Sequence, residues 1–335
     1  MESNHYLLEV VIPMLRLRRL PMGLIVGAVL VLALPVRAAD VDKYLPDDTE
    51  VVAVINAKQI LDAPLVKKHF LEQLRTHLKG SNELMNLLES LGFDPFKDLT
   101  SMTVAMSVIS ADVKPVVITH GQFDKAKFET KAEELAKEKS DVVKIHKEGA
   151  RKVYEIKHEG PDKPVFVGLA DPTTIVAGPE KQQVLDAFAK ADGKGKGTVK
   201  KAMRDLIEKA DAKQSLWFAM TANAFLKGDF SSDDRAKKVL EQLDSIAAGL
   251  TVDKGAKLAF AIVTKSTAEA KKLAQEFKEG LDQVKGLLTL FADQDKKLAP
   301  LVDVVDNLQI STEGSTIILK SEVSEEIIEK HMKKN

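Results

Sequence analysis

Two short, uninterrupted apolar segments set the strongest limit on how this chain can fold. Residues 51–55 (VVAVI) and residues 216–220 (LWFAM) lie 165 positions apart, and each is followed by a segment that suits a helix, NAKQIL and TANAFL. A continuous apolar run of this length is typical of a strand that is buried on both faces. Trp217 falls inside the second segment and is therefore expected in the core. Later strand and helix patterns recur in the same order after each segment, which predicts an internal duplication.

The order of the patterns between these two segments predicts an α+β fold. Long strand patterns cover residues 99–109 and 115–120. Four shorter strand patterns precede a helical pattern at residues 181–191, and they lie at residues 142–146, 152–156, 165–169 and 174–177. In the second half, one long helical pattern at about residues 267–291 replaces two of the short strands. We predict two similar tandem modules, each a largely antiparallel sheet covered by helices.

A segment of alternating glycine and lysine, residues 193–197 (GKGKG), separates the two modules. Such a sequence offers no apolar side chain for packing, so it predicts a solvated linker. The expected organisation is a signal peptide at residues 1–38, a first α+β module at residues 39–192 and a second at residues 198–335.

The N-terminal segment has the pattern of a secretory signal. Three arginines at residues 16–19 precede an apolar run at residues 20–35, and small side chains follow near the end of the run. This order of a basic, an apolar and a small-residue region predicts cleavage between Ala38 and Ala39. The mature protein is therefore expected in the periplasm or outside the cell.

Two features of this segment leave alternatives open. Residues 20–36 could stay uncleaved as an inner-membrane anchor, although the run is shorter than the roughly 20 apolar residues of a spanning helix. Translation could start at Met1 or at Met14, and a start at Met14 gives a signal of more usual length. The chain is expected to contact the membrane only through the signal segment, and only if that segment is not cleaved.

Composition excludes several classes of site and partner. The chain has no cysteine, so disulfides and thiolate metal sites are excluded. Of its 49 basic residues, four arginines lie in residues 1–38, and only four of the other 45 basic residues are arginine. Arginine and aromatic side chains make many of the contacts to phosphates and bases, and aromatics are only 5% of the chain. Nucleic acid is therefore not expected as a partner.

No motif in the sequence assembles a catalytic or ligand-binding centre. The nucleophile-elbow pattern GxSxG does not occur, and GKGKGT at residues 193–198 lacks the GxxxxGK[ST] spacing of a phosphate loop. His69 and His77 lie eight residues apart, whereas the two metal ligands of a helical HExxH motif are four apart. Residues 293–295 (DQD) lack the glycine and glutamate that complete a calcium loop. We predict no catalytic residue, no cofactor and no metal ligand.

One apolar stripe is the only candidate for contact with a ligand. Leu281, Val284, Leu287, Leu288 and Phe291 recur at helical spacing, so they lie along one side of the predicted long helix. These five residues are candidate ligand-lining residues. The alternative is that the same stripe packs on a sheet of the protein itself.

Together these observations favour an exported cell-envelope or extracellular protein that acts as a non-catalytic binding or structural module. Its partner would be a protein or another envelope component. The first alternative is a carrier of a hydrophobic ligand or lipid in the envelope, which requires an apolar cavity. The second is a secreted hydrolase, for which the sequence supplies no positive pattern.

The start of the mature chain resembles a group of exported bacterial proteins of unknown function. Domains of that group lead into their first strand with Leu-Pro-x-Asp-Thr and carry a Leu-Gly-x-Asp-Pro…Asp-Leu connector. The matching positions here are Leu45, Pro46, Asp48, Thr49, Leu91, Gly92, Asp94, Pro95, Asp98 and Leu99. The resemblance covers about the first sixty residues of the mature chain. It implies an exported α+β domain and no particular activity.

Overall fold

Runs of strands and runs of helices follow one another along the chain, which is α+β as its patterns predict. The computed structural model describes residues 39–80, 88–109, 112–157, 164–195, 197–227, 238–294 and 298–332. The described residues belong to two compact units: unit 1 contains residues 41–61 and 69–200, and unit 2 contains residues 39–40, 62–68 and 201–335. The signal predicted at residues 1–38, with Ala38, lies outside the described residues.

Unit 1 contains a sheet whose strands pair in the order β1-β2-β3-β7-β6-β5-β4. Every pairing of neighbours in this order is antiparallel. The strands are β1 (Val51–Ile55), β2 (Leu99–Ile109), β3 (Asp112–Gly121), β4 (Val143–Glu148), β5 (Arg151–Ile156), β6 (Val165–Asp171) and β7 (Thr174–Gly178). Strands β2 and β3 form one hairpin and β4 to β7 form a meander, which joins the sheet through the pairing of β7 with β3.

Unit 2 contains a sheet with the order β11-β12-β10-β9-β8. Each strand of this sheet is antiparallel to its neighbours. The strands are β8 (Leu216–Thr221), β9 (Leu243–Val252), β10 (Ala256–Thr264), β11 (Gln309–Glu313) and β12 (Thr316–Val323). A long helix lies between β10 and β11 in the chain, in the place where the first half has two short strands.

The helices differ widely in length. In chain order they are α1 (Ala57–Asp62), α2 (Pro64–His69), α3 (Leu71–Gly80), α4 (Lys125–Glu138), α5 (Lys181–Ala191), α6 (Lys201–Lys209), α7 (Ala222–Lys227), α8 (Thr267–Gln294), α9 (Ala299–Asp306) and α10 (Glu325–Met332). Asp124 caps α4 by accepting a hydrogen bond from the Lys127 amide at 3.0 Å. The predicted bounds of β1, β2 and α5 are confirmed.

The core of unit 1 forms where α5 packs on the sheet. Val153 of β5, Val176 of β7 and Val184 of α5 are all fully buried. At Gly168 of β6 the helix approaches so closely that a Cβ atom there would lie 2.4 Å from Val184 Cγ1. Glycine at this position therefore allows the helix to contact the strand backbone.

The core of unit 2 forms under the first half of α8. Ala270, Leu273 and Ala274 of this helix pack with Leu243 of β9 and Ile317 of β12, and all five are buried. Because residues three and four apart share a side of a helix, this half of α8 presents one stripe to the sheet. The second half of the same helix has a different environment, described below.

The Leu-Gly-x-Asp-Pro connector has a local structural role. Asp94 Oδ1 accepts a hydrogen bond from the Phe96 amide at 2.9 Å, and Asp98 Oδ2 accepts one from the Asp94 amide at 2.6 Å. Beside this turn, the rings of Phe93 and Phe123 stack with their centroids 5.1 Å apart. The two aspartates thus hold a turn, the role that Asp-Pro sequences most often have.

Candidate functional site

Unit 1 contains a polar cleft of about 600 Å³ beside α5. Its walls include Asp47, which precedes β1, together with Lys114 of β3 and Lys190 of α5. Lys114 Nζ lies 2.7 Å from Glu180 Oε1, and Lys190 Nζ lies 2.7 Å from Asp47 Oδ1. Because charged groups of both signs line the cleft, it suits a polar ligand better than a hydrophobic one.

Glycines of the predicted linker form part of the same cleft. A Cβ atom at Gly195 would lie 2.4 Å from Lys190 Cγ, and one at Gly197 would lie 1.2 Å from Asp47 Oδ2. Lys190 also donates a hydrogen bond to the Leu45 carbonyl at 2.6 Å, and its side chain is only 11% exposed. Gly193 and Gly195 are exposed. The absence of a Cβ atom at Gly195 and Gly197 also leaves room for the side chains of Lys190 and Asp47.

A histidine near the cleft joins the lead-in before β1 to two strands. His120 of β3 places Nε2 at 2.7 Å from Asp42 Oδ2 and Nδ1 at 3.1 Å from the Thr174 hydroxyl of β7. The hydrogen bond to Asp42 raises the pKa of the His120 imidazole, against a smaller lowering effect of burial. The arrangement therefore holds residue 42 against the sheet most strongly when His120 is protonated.

A tyrosine makes a second connection of the same kind. The Tyr44 hydroxyl donates to the Asp171 carboxylate, which also accepts hydrogen bonds from the amide and the hydroxyl of Thr173, each at 2.8 Å. Burial opposes ionisation of Asp171, but these hydrogen bonds outweigh it and lower the pKa of Asp171 to about 2. Burial, followed by the bond to Asp171, raises the pKa of Tyr44 above its usual range. Tyr44 also borders the cleft.

The order Asp42, His120, Thr174 resembles the acid–base–hydroxyl arrangement of hydrolases. A nucleophile, however, must be reachable by the substrate. Thr174 is only 1% exposed, and its hydroxyl also bonds to Asp171. We therefore interpret the five residues Asp42, Tyr44, His120, Asp171 and Thr174 as a latch that holds the lead-in on unit 1. No local sequence pattern marks the latch, because its members are far apart in the chain.

The latch predicts a pH-dependent contribution to stability. Asp42, Asp171 and Lys43 are the charged groups that act on His120. Since folding raises the pKa of His120, its contribution is fully present below the unfolded-state pKa of about 6.5 and is lost as pH rises through the folded-state value. We expect Asp42→Asn to destabilise the protein more at pH 6 than at pH 9, as measured by urea unfolding. Equal losses at the two pH values would contradict this role of His120.

Two other histidines, His77 and His146, form contacts of their own. His69 and His77, predicted on one helix, lie on α2 and α3, because the helical segment is interrupted at Phe70. His77 Nδ1 lies 3.0 Å from the Gln73 carbonyl of its own helix. His146 Nε2 lies 2.8 Å from Glu155 Oε2 on the neighbouring strand. The contacts of His77 and His146 are thus made within one helix and between two neighbouring strands.

The five predicted ligand-lining residues all lie in the second half of α8. Leu281 and Leu288 are half-buried, whereas Val284, Leu287 and Phe291 are 49%, 56% and 53% exposed. They take no part in the polar cleft. The stripe that packs on the sheet in the first half of α8 therefore continues as an exposed surface.

Two further leucines extend this surface. Leu290 of α8 is 63% exposed, and Leu301 of α9, a helix that packs against α8, is 50% exposed. We call Val284, Leu287, Leu290 and Phe291 the apolar face. Leu290 is absent from the predicted stripe because it lies at the margin of that side of the helix.

The chain has only distant similarity to known proteins. The sequence matches no family model, and no curated protein is significantly similar to it. Two crystal forms of TP0453, forms I and IV, align over 88% of this chain and 98% and 97% of their own, with TM-scores of 0.43 and 0.44 and identities of 11% and 10%. Likeness at this level supports no conclusion about function. In the described part of the chain, no helix is long and apolar enough to cross a membrane.

Proposed function

We propose that the chain is an exported cell-envelope or extracellular protein that acts as a non-catalytic binding module through its apolar face. The observation that carries this proposal is the exposure of four large apolar side chains along one helix, each 49–63% exposed. The largest apolar patch on a protein surface is often a functional contact site. For the hydrolase alternative, the buried position of Thr174 argues against its hydroxyl as the nucleophile.

Strand order supports a related proposal, that the two halves arose by duplication. The order β1-β2-β3-β7 in unit 1 parallels β8-β9-β10-β12 in unit 2. In each case the first strand is followed by a short helix, α1 or α7. We expect superposition of the two sheets to place β1 on β8. Non-equivalent positions for these two strands would rule out the duplication.

Export predicts a defined N-terminus for the mature protein. A reporter fused to residues 1–45 should leave the cytoplasm, and N-terminal sequencing of the processed chain should begin at Ala39. Ala39 is buried, and its amide donates to the Ala210 carbonyl at 3.0 Å, so the first mature residue would be ordered. Recovery of residues 14–38 in the membrane fraction would instead support the anchor formed by residues 20–36.

Binding through the apolar face can be tested on envelope fractions of the source organism. We expect the mature chain to sediment with them and the double variant Leu287→Glu, Phe291→Glu to remain in solution, because two new charges prevent burial of the face. Leu226→Glu is the matched control: Leu226 of α7 is 56% exposed and lies outside the face. If the double variant and the control bind equally, the apolar face is not the binding surface.

A further inference from the structure

We infer that the apolar face docks on the surface of a phospholipid bilayer, with the axis of α8 parallel to the membrane. This inference rests on the proposed function and names its partner. A helix with one apolar and one polar side binds in this way by inserting the apolar side among the lipid headgroups and upper acyl chains.

The position of the apolar face on α8 supports an external apolar partner. At about 100° per residue, Val284, Leu287 and Phe291 lie on the same side of the helix as Leu273 and Phe277. Leu273 is buried in the core of unit 2, and Phe277 packs against that core. Beyond Phe277 the same side of the helix is exposed. A bilayer would cover the second half of the stripe as the sheet covers the first.

The charge of this half of α8 fits a lipid surface. Between residues 280 and 292, only Asp282 and Lys285 are charged. Lys285 Nζ lies 3.9 Å from Asp306 Oδ1 of α9, on the side of α8 away from Leu287. Insertion of the face would therefore bury no charged group. It also follows that binding should not require anionic lipid and should depend little on salt.

The size of the apolar face favours a bilayer over a second copy of the chain. Its four side chains expose about 400 Å² if a fully exposed residue of these types presents roughly 150–220 Å². A stable protein–protein complex usually buries about 800 Å² on each partner. A lipid surface has no such minimum, because the lipids adapt to the shape of a single helix.

Vesicles of pure phosphatidylcholine provide the first test, with mature protein comprising residues 39–335. We expect the protein to float with the vesicles at low and at high salt. Leu287→Glu with Phe291→Glu should weaken binding at least tenfold. Thr289→Glu is the matched control because Thr289 is exposed on the opposite side of the same helix, and it should bind as the unmodified protein does.

Labelled variants test the orientation of the helix. Since the chain has no cysteine, Leu287→Cys and Thr289→Cys each create a single site for an environment-sensitive fluorophore. With vesicles, emission from position 287 should shift to the blue and be quenched by brominated lipid. Emission from position 289 should change little. Equal quenching at both positions would overturn the proposed orientation.

Three outcomes would overturn the lipid inference. They are absence of vesicle binding, equal binding of the double variant and the control, and a dimer in ultracentrifugation without lipid that the double variant loses. The last result would assign the face to a second copy of the chain. A further outcome is that the double variant fails to bind envelope fractions while the unmodified protein does not bind vesicles. In that case the proposed binding function stands, and the inference that its partner is a lipid bilayer is wrong.

Discussion

Replacing Trp217 with alanine should lower the free energy of unfolding by about 3–5 kcal/mol, as large-to-small changes in a core do. Trp217 lies on β8 and is only 5% exposed, which confirms its predicted burial. In the antiparallel register it faces Gly249 of β9. The Gln214 side chain occupies the space beside Gly249, since a Cβ atom there would lie 2.0 Å from Gln214 Nε2. Alanine would leave a cavity that the surrounding strands cannot fill.

Leu216 provides the matched control for this substitution. It is the neighbour of Trp217 on the same strand but is 38% exposed, and Leu216→Ala should cost about 1 kcal/mol or less. Urea unfolding followed by circular dichroism would measure both. In the unmodified protein, tryptophan emission should be blue-shifted and poorly quenched by iodide. Red-shifted, readily quenched emission would place Trp217 on the surface and contradict its burial.

Local patterns were sufficient to predict most strands and helices of unit 1. The apolar run of β1 and the helical spacing of α5 gave their bounds correctly, because adjacent side chains determine such short elements. Asp124 likewise marked the start of α4 through a contact only three residues away. A single sequence is therefore enough to predict an element whose bounds are set by contacts between residues close in the chain.

The apolar face and the latch both depend on tertiary contacts, which a single sequence does not reveal. The spacing of the stripe on α8 predicted that Leu281 and Phe291 lie on one side of the helix. How far the sheet covers that side depends on where the strands of unit 2 end. His120 bonds to residues 78 and 54 positions away, Asp42 and Thr174, and no local pattern marks such a set. Tertiary packing therefore decides both the exposure of the face and the presence of the latch.

The glycines of residues 193–197 illustrate a further ambiguity. Alternating glycine and lysine is typical of a solvated linker, yet Gly197 approaches Asp47 too closely for any side chain. A glycine is favoured both where the chain is unrestrained and where another group must come near its backbone. These two causes give the same residue in the sequence, and only the neighbours in the structure distinguish them.

Gly168→Val should destabilise the protein by about 3 kcal/mol, because it forces side-chain atoms into a closely packed interface. A Cβ atom at Gly168 would lie 2.4 Å from Val184 and 2.6 Å from Phe188, two buried residues of α5. Gly286→Val is the matched control: Gly286 lies on α8 with no atom within 4 Å of the added Cβ, so the change should stay within about 0.5 kcal/mol. Urea unfolding would measure both variants, and hydrogen exchange in α5 should rise only in the first. Similar stability of the two variants would mean that α5 does not rest on the backbone of β6.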